Sequence, residues 1–172
     1  MSHFANALKV ATTAALMAGV ACVGSAQSSA DPSADTSALA ALMSKGYSMS
    51  NCAAQPLTPG VLAQIACNQN SDPSGPAGAQ YFLFDSADGP AATFKGLLDQ
   101  GNLTPGNCGD IASPTTWKMN GNPAGSLVCG TVPGQGGVAQ ITWTNDAKNV
   151  LSFVRASNSD LAALYKWWYV NG

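Results

Sequence analysis

The chain has 172 residues, a length suited to one domain, and 46% of them are apolar, enough to build a core. Only 9% are charged, the formal net charge is −2, and no basic cluster exists to neutralise phosphates, which excludes nucleic acid as a partner. All nine acids are Asp, so solubility rests on Asn, Gln, Ser, Thr and Gly, and the acids belong to turns and helix caps.

Residues 1–26 read as an export signal. A short start carrying Lys9 precedes an apolar or small run over 10–23, and Gly24-Ser25-Ala26 offers the small residues that a signal peptidase reads. The run is shorter than the roughly 20 apolar residues of a membrane span, so membrane contact is expected only through an uncleaved leader. A retained anchor helix and a lipidated Cys22 are the competing readings. Gly19-Val20-Ala21-Cys22 lacks the Leu usual three residues before a lipidated cysteine.

Cleavage after Ala26 removes His3, the only His, together with Lys9 and Cys22. The seven basic residues fall to six and the five cysteines to four. An even count in an exported chain reads as two disulfides, with free buried thiols as the alternative. Three pairings are possible. Cys52–Cys67 and Cys108–Cys129 are preferred because each closes a short local loop, and each is expected to contribute about 3 kcal/mol.

Residues 27–35 are small and polar and read as a flexible tether to a single domain at 36–172. Thr36 or Ser37 is expected to cap a helix to about Ser44, with Leu39, Leu42 and Met43 on one side and Gly46 ending it. Residues 59–67 are predicted as a second short helix, from Val61, Leu62 and Ile65. The breaker-rich stretch 68–78 is expected to be irregular. Residues 80–85, apolar on both faces, read as an interior strand. A helix then starts at Gly89-Pro90, puts Ala91, Phe94, Leu97 and Leu98 on one face, and stops at Gly101.

Strands are predicted over 115–119, 125–132, 138–144 and 150–155. Asn120-Gly121 is the first hairpin turn, and Gly134-Gln135-Gly136-Gly137 is a hairpin connection without the Lys-Ser/Thr of a phosphate loop. Short connections imply antiparallel neighbours. Ser159 is expected to cap a final helix whose stripe is Leu161, Leu164, Tyr165 and Trp168. The fold class is therefore α+β: an antiparallel sheet of about five strands packed with helices and stapled by disulfides.

Chemistry-bearing patterns are few. Without His3 there is no Ser-His-Asp or Cys-His arrangement and no His ligand, and the cysteines lack zinc spacing. Asp85-Ser86-Ala87-Asp88-Gly89 lacks calcium-loop spacing and reads as a helix start, and Asp35-Thr36-Ser37 falls in the tether. No catalytic residue, metal or cofactor is assigned. Four aromatics in five positions, Tyr165, Trp167, Trp168 and Tyr169, cannot all face one way on a helix. Trp168 shares the core stripe. Trp167, Tyr165 and Tyr169, with Gln135 of the Gly-rich turn, form the candidate ligand surface, unless they plug the chain's end against the sheet.

The order Cys67-Asn68-Gln69-Asn70, Tyr81-Phe82-Leu83-Phe84, Cys108, Pro114-Thr115-Thr116-Trp117, GSLVCG at 125–130, Trp143-Thr144-Asn145-Asp146 and DLAALYKWW at 160–168 resembles a small exported actinobacterial domain. That domain occurs alone in secreted mycobacterial proteins and attached outside the membrane to some receptor serine/threonine kinases. The resemblance covers about residues 50–168. It implies an extracytoplasmic, sensor-like or ligand-binding role and carries over no catalytic residue. The kinase domain and following transmembrane helix are not in this sequence, so it implies no signalling by this polypeptide itself.

The expectation is a secreted or wall-associated, non-enzymatic binding module for an envelope glycan, lipid or peptide. The alternatives are a small hydrolase using Ser/Lys or paired Asp, and a structural envelope protein. Two carboxylates, or a Ser and a Lys, converging in a deep cleft would mark the enzyme; recovery with wall material rather than medium would mark the structural protein.

Overall fold

The computed structural model describes residues 32–172; the expected export signal and residues 27–31 of the expected tether lie outside the described residues. Helix α1 (Pro32–Ala40) begins four residues before the expected cap, so Asp35-Thr36-Ser37 is helical. Pro is tolerated in a first turn because the N–H it lacks has no intrahelical partner there. Leu39 is fully buried and Met43 half-buried, whereas Leu42 lies beyond the helix and is exposed.

The second predicted helix is a strand. β1 (Cys52–Ala54) pairs antiparallel with β2 (Val61–Cys67), with Cys52 opposite Cys67 and a disulfide joining them. Burial along β2 alternates: Ala63, Ile65 and Cys67 face the core. A two-residue period and β-branched Val61 and Ile65 suit a pleated surface, and one cross-strand disulfide holds the register. Residues 68–77 are irregular, organised by buried Asn70, whose Nδ2 donates to the Lys45 carbonyl (3.0 Å) and whose Oδ1 accepts from the Asp72 N–H (2.9 Å).

β3 (Gly78–Phe84) lies between β2 and β10, an interior position as its unbroken apolar run implies. α2 (Asp88–Asp99) follows, burying Pro90 and Phe94. Asp88 is its first residue, and Ala87 precedes it without a side-chain cap. Short strands β4 (Thr104–Pro105), β5 (Asn107–Cys108) and β6 (Ile111–Ala112) lead to β7 (Thr115–Met119) and β8 (Asn122–Val132). Asn120 and Gly121 both have positive φ (52° and 83°), the requirement of the tight hairpin between β7 and β8. The 3₁₀ turn Pro133–Gln135 connects to β9 (Val138–Asn145), and Asp146–Lys148 connects to β10 (Val150–Arg155). α3 (Leu161–Asn171) is capped by Asp160 rather than Ser159: its Oδ1 accepts from the Ala163 N–H at 2.9 Å.

Among the described residues, eight strands form one antiparallel sheet in the order β1-β2-β3-β10-β9-β8-β4, with β7 also on β8. The class is α+β as expected, but the sheet is wider than five strands because β1 and β2 extend it and β4 adds an edge. Helices cover both faces. α1 and α3 cover a core of Leu39, Ile65, Tyr81, Ile141, Trp143 and Trp168. α2 covers a smaller one of Phe84, Phe94, Leu103, Val128 and Leu151. Cys108–Cys129 ties β5 to β8 beneath α3, so both disulfides match the preferred pairing.

The Cys52–Cys67 bond closes a separation of 15 residues. Cys52→Ala/Cys67→Ala is expected to lower urea-unfolding stability by about 3 kcal/mol while retaining the native circular dichroism. A change below about 0.5 kcal/mol would show that β1 and β2 hold their register without it.

Candidate ligand groove

α3 presents rings in three directions. Leu164 and Trp168 point into the core, Tyr165 and Trp167 lie at its margins, and Tyr169 is 75% exposed. Trp168 sits edge-on to Trp143 (5.8 Å between centroids) and to Trp117 of β7 (6.1 Å), and stacks on Tyr165 (5.9 Å, 23° between planes). Trp143 continues through Tyr81 to Tyr47, and Tyr47 meets Trp167. Tyr165 reaches Tyr169. All four Trp and all four Tyr of the chain thus form one continuous run of ring contacts across one sheet face. Each separation falls in the favourable range for aromatic pairs.

Where this run reaches the sheet's edge, α3 and β7 diverge and leave an open groove of about 690 Å³. Leu127, Trp117, Trp168 and the buried Cys108 line it beside Thr115 and Thr116. Ile111, Met119 and Tyr169 stand exposed around it. Lys118 is the single charged side chain on its lining. Among the described residues β7 pairs with β8 alone, so its outer edge carries unpaired backbone groups.

Thr144 holds this wall in place. Its carbonyl accepts from Trp117 Nε1 at 2.7 Å, spanning from β9 across β8. Its hydroxyl accepts from the Ser126 N–H (2.8 Å) and donates to Asp146 Oδ1 (2.7 Å). Gly125 permits this approach, because a Cβ there would collide with the Thr144 carbonyl. The Trp168 Nε1 is buried beside Gly172 without a hydrogen-bond partner.

The structure divides the expected ligand surface. Tyr165 and Tyr169 line the groove. Trp167 instead packs edge-on against Tyr47 (6.3 Å) and borders a separate depression with Gln69, Asn158 and Asp160. Gln135 lies over the opposite sheet face, where its Oε1 accepts from Arg155 Nη1 at 2.6 Å. The Gly-rich turn and Trp167 therefore do not make one surface. Ile111 and Met119 carry no signal of their own in the sequence, and Trp117 enters there only within the family resemblance; a strand over 115–119 is legible, its edge position is not.

Two tyrosines of the ring run are deeply placed. Tyr81 accepts from the Ser44 N–H (3.2 Å), and Tyr47 donates to the Pro76 carbonyl (3.3 Å). Burial pushes both phenols above their ordinary value, with Tyr81 adding to the effect on Tyr47. Among the described residues no group of three or more His, Cys, Asp or Glu is placed to hold a metal ion, and no helix is long and apolar enough to cross a membrane. The two disulfides fit an extracytoplasmic location. The chain matches no family model, no curated protein and no solved structure.

Thr144→Val keeps the shape but leaves the Ser126 N–H unpaired; a loss of about 2 kcal/mol in urea unfolding is expected, and an unchanged midpoint would show that Thr144 does not hold the wall. The phenols predict an alkaline limit. A raised folded pKa means the folded state holds its protons when the unfolded chain has lost them, so this contribution is full below the unfolded value near 10 and is lost as pH rises through the folded values. Stability should fall above about pH 10, and Tyr47→Phe should flatten that fall; an identical slope in the variant would contradict the assignment.

Proposed function

We propose that this chain is an exported, non-enzymatic binding module of the cell envelope, and that the groove between β7 and α3 receives an extended apolar peptide segment. The observation that carries this reading is that one wall of an aromatic groove is an unpaired strand edge. An extended peptide laid along β7 gains main-chain hydrogen bonds from the edge and sends alternate side chains toward Trp117, Tyr165 and Tyr169. The exposed Ile111 (55%), Met119 (51%) and Tyr169 supply apolar area around a site whose single charged side chain is Lys118. That lone cation favours an acidic group at one end of the peptide. Export rests on the N-terminal signal pattern, the two disulfides and the resemblance to a free-standing exported sensor-like domain.

The test starts from a displayed library of extended peptides, with selected sequences titrated by tryptophan fluorescence, since Trp117 and Trp168 line the groove. Tyr169→Ala should weaken binding about tenfold, equivalent to about 1.4 kcal/mol, while leaving thermal stability unchanged because the ring is mostly exposed. Ile111→Asn should weaken it similarly. Unchanged affinity in both variants would move the site elsewhere. A glycan binding at this groove in place of peptides would overturn the ligand class.

A further inference from the structure

The other face of the sheet holds a feature that the groove does not use. Arg155 is the only Arg in the chain. It ends β10 opposite Gln140 of β9, on the face that carries Phe82 and Phe153. Its guanidinium lies over the Phe153 ring, 5.2 Å from the centroid, and Phe153 in turn lies 6.4 Å from Phe82.

Two glutamines hold this cation. Nε and Nη2 both donate to Gln140 Oε1 (3.0 and 2.6 Å), and Nη1 donates to Gln135 Oε1 (2.6 Å). Gln140 is itself only 3% exposed, and its Nε2 is committed to Thr142 Oγ1 at 3.0 Å. Its carbonyl oxygen is thereby aimed at Arg155. Three of the five guanidinium hydrogens are engaged by neutral amide oxygens, which leaves one on Nη1 and one on Nη2.

The charge itself is uncompensated. Among the described residues no carboxylate lies within 4.0 Å of Arg155; the ion pair they contain joins Lys95 to Asp99. A half-buried guanidinium without a counter-ion is costly to the folded state. Burial lowers its pKa, in keeping with that cost. An Asp or Glu at either glutamine position would relieve it, yet both positions carry amides that orient the fork without neutralising it. Beside the guanidinium is an open depression of about 250 Å³, lined by Ala66, Gly78, Gln80, Phe153 and Ala156. Its small residues leave room next to an aromatic ring and a cation.

We propose that Arg155, held by Gln140 and Gln135, is a binding site for a small organic carboxylate whose apolar part lies along Phe153. The planar fork matches a carboxylate better than a point charge would. A depression of about 250 Å³ has room for one small aromatic ring beyond the carboxylate. This site is independent of the peptide groove, which lies on the opposite face.

Benzoate is the probe, titrated into the ¹⁵N-labelled protein and followed by amide shifts of residues 78–80 and 153–156. Saturable shifts there, absent with uncharged benzamide, are expected. Arg155→Lys, which keeps the charge but loses the fork, should weaken benzoate at least tenfold. Gln135→Glu places an anion on Nη1 from an exposed turn; it should fold normally and abolish binding. No shift up to the solubility limit of benzoate would overturn the proposal. Equal affinity in wild type, Arg155→Lys and Gln135→Glu would also overturn it, as would tighter binding of inorganic phosphate at the same residues.

Discussion

Everything on the larger face of this sheet depends on where the Trp168 ring sits. It is the junction at which the ring run branches: inward to Trp143, toward β7 through Trp117, and outward along α3 through Tyr165. Edge-to-face and stacked pairs are directional, so several rings meeting at one indole fix a helix's rotation as well as its position. With α3 fixed, Tyr165 and Tyr169 have defined places on one wall of the groove. Trp117, bonded to the Thr144 carbonyl, fixes the other.

The sheet segregates its aromatic residues by chemistry. Trp and Tyr line the face under α1 and α3, while Phe82, Phe84, Phe94 and Phe153 belong to the face under α2. On the first face Tyr47 bonds to the Pro76 carbonyl, Tyr81 to the Ser44 N–H and Trp117 to the Thr144 carbonyl, while the Trp168 N–H is buried without a partner. On the second face the polarity comes from the strands: Gln140, Thr142 and Thr144 of β9 are buried. A buried Gln or Thr in a strand must be hydrogen-bonded, and these side chains bond to each other, to Arg155 and to β8. The two proposed sites therefore lie on faces of different chemistry: an aromatic groove beside a strand edge on one, a glutamine-held guanidinium on the other.

Much of this was legible in the residues. Asn120-Gly121 dictates its hairpin because both positions need positive φ. The strands 115–119 and 150–155 and the helix after Gly89-Pro90 follow from period and punctuation. Both disulfides follow from short local loops. The error at residues 61–67 is instructive. Val61, Leu62 and Ile65 fit a helical stripe, but Ala63 and Cys67 complete an alternation that only pairing with β1 and β3 makes visible. Asp160 outcompeted Ser159 by one residue because the cap is decided by which oxygen reaches the Ala163 N–H. The groove was half legible: Tyr165 and Tyr169 announce themselves, but Trp117 joins them through a bond to a strand two positions away in the sheet. No local pattern encodes that. Gln135 was singled out for its turn, and its bond to Arg155 spans 20 residues.

The central claim is that one indole sets both the docking of α3 and the shape of the groove. It is tested most directly by Trp168→Leu, which keeps an apolar side chain of helix-forming type but removes the branching ring. Urea unfolding followed by far- and near-ultraviolet circular dichroism is the measurement. The account predicts a loss of about 3 kcal/mol, with the aromatic near-ultraviolet signal collapsing while the sheet signal persists in the absence of urea. A variant within about 0.5 kcal/mol of the parent, with its aromatic signal intact, would contradict it.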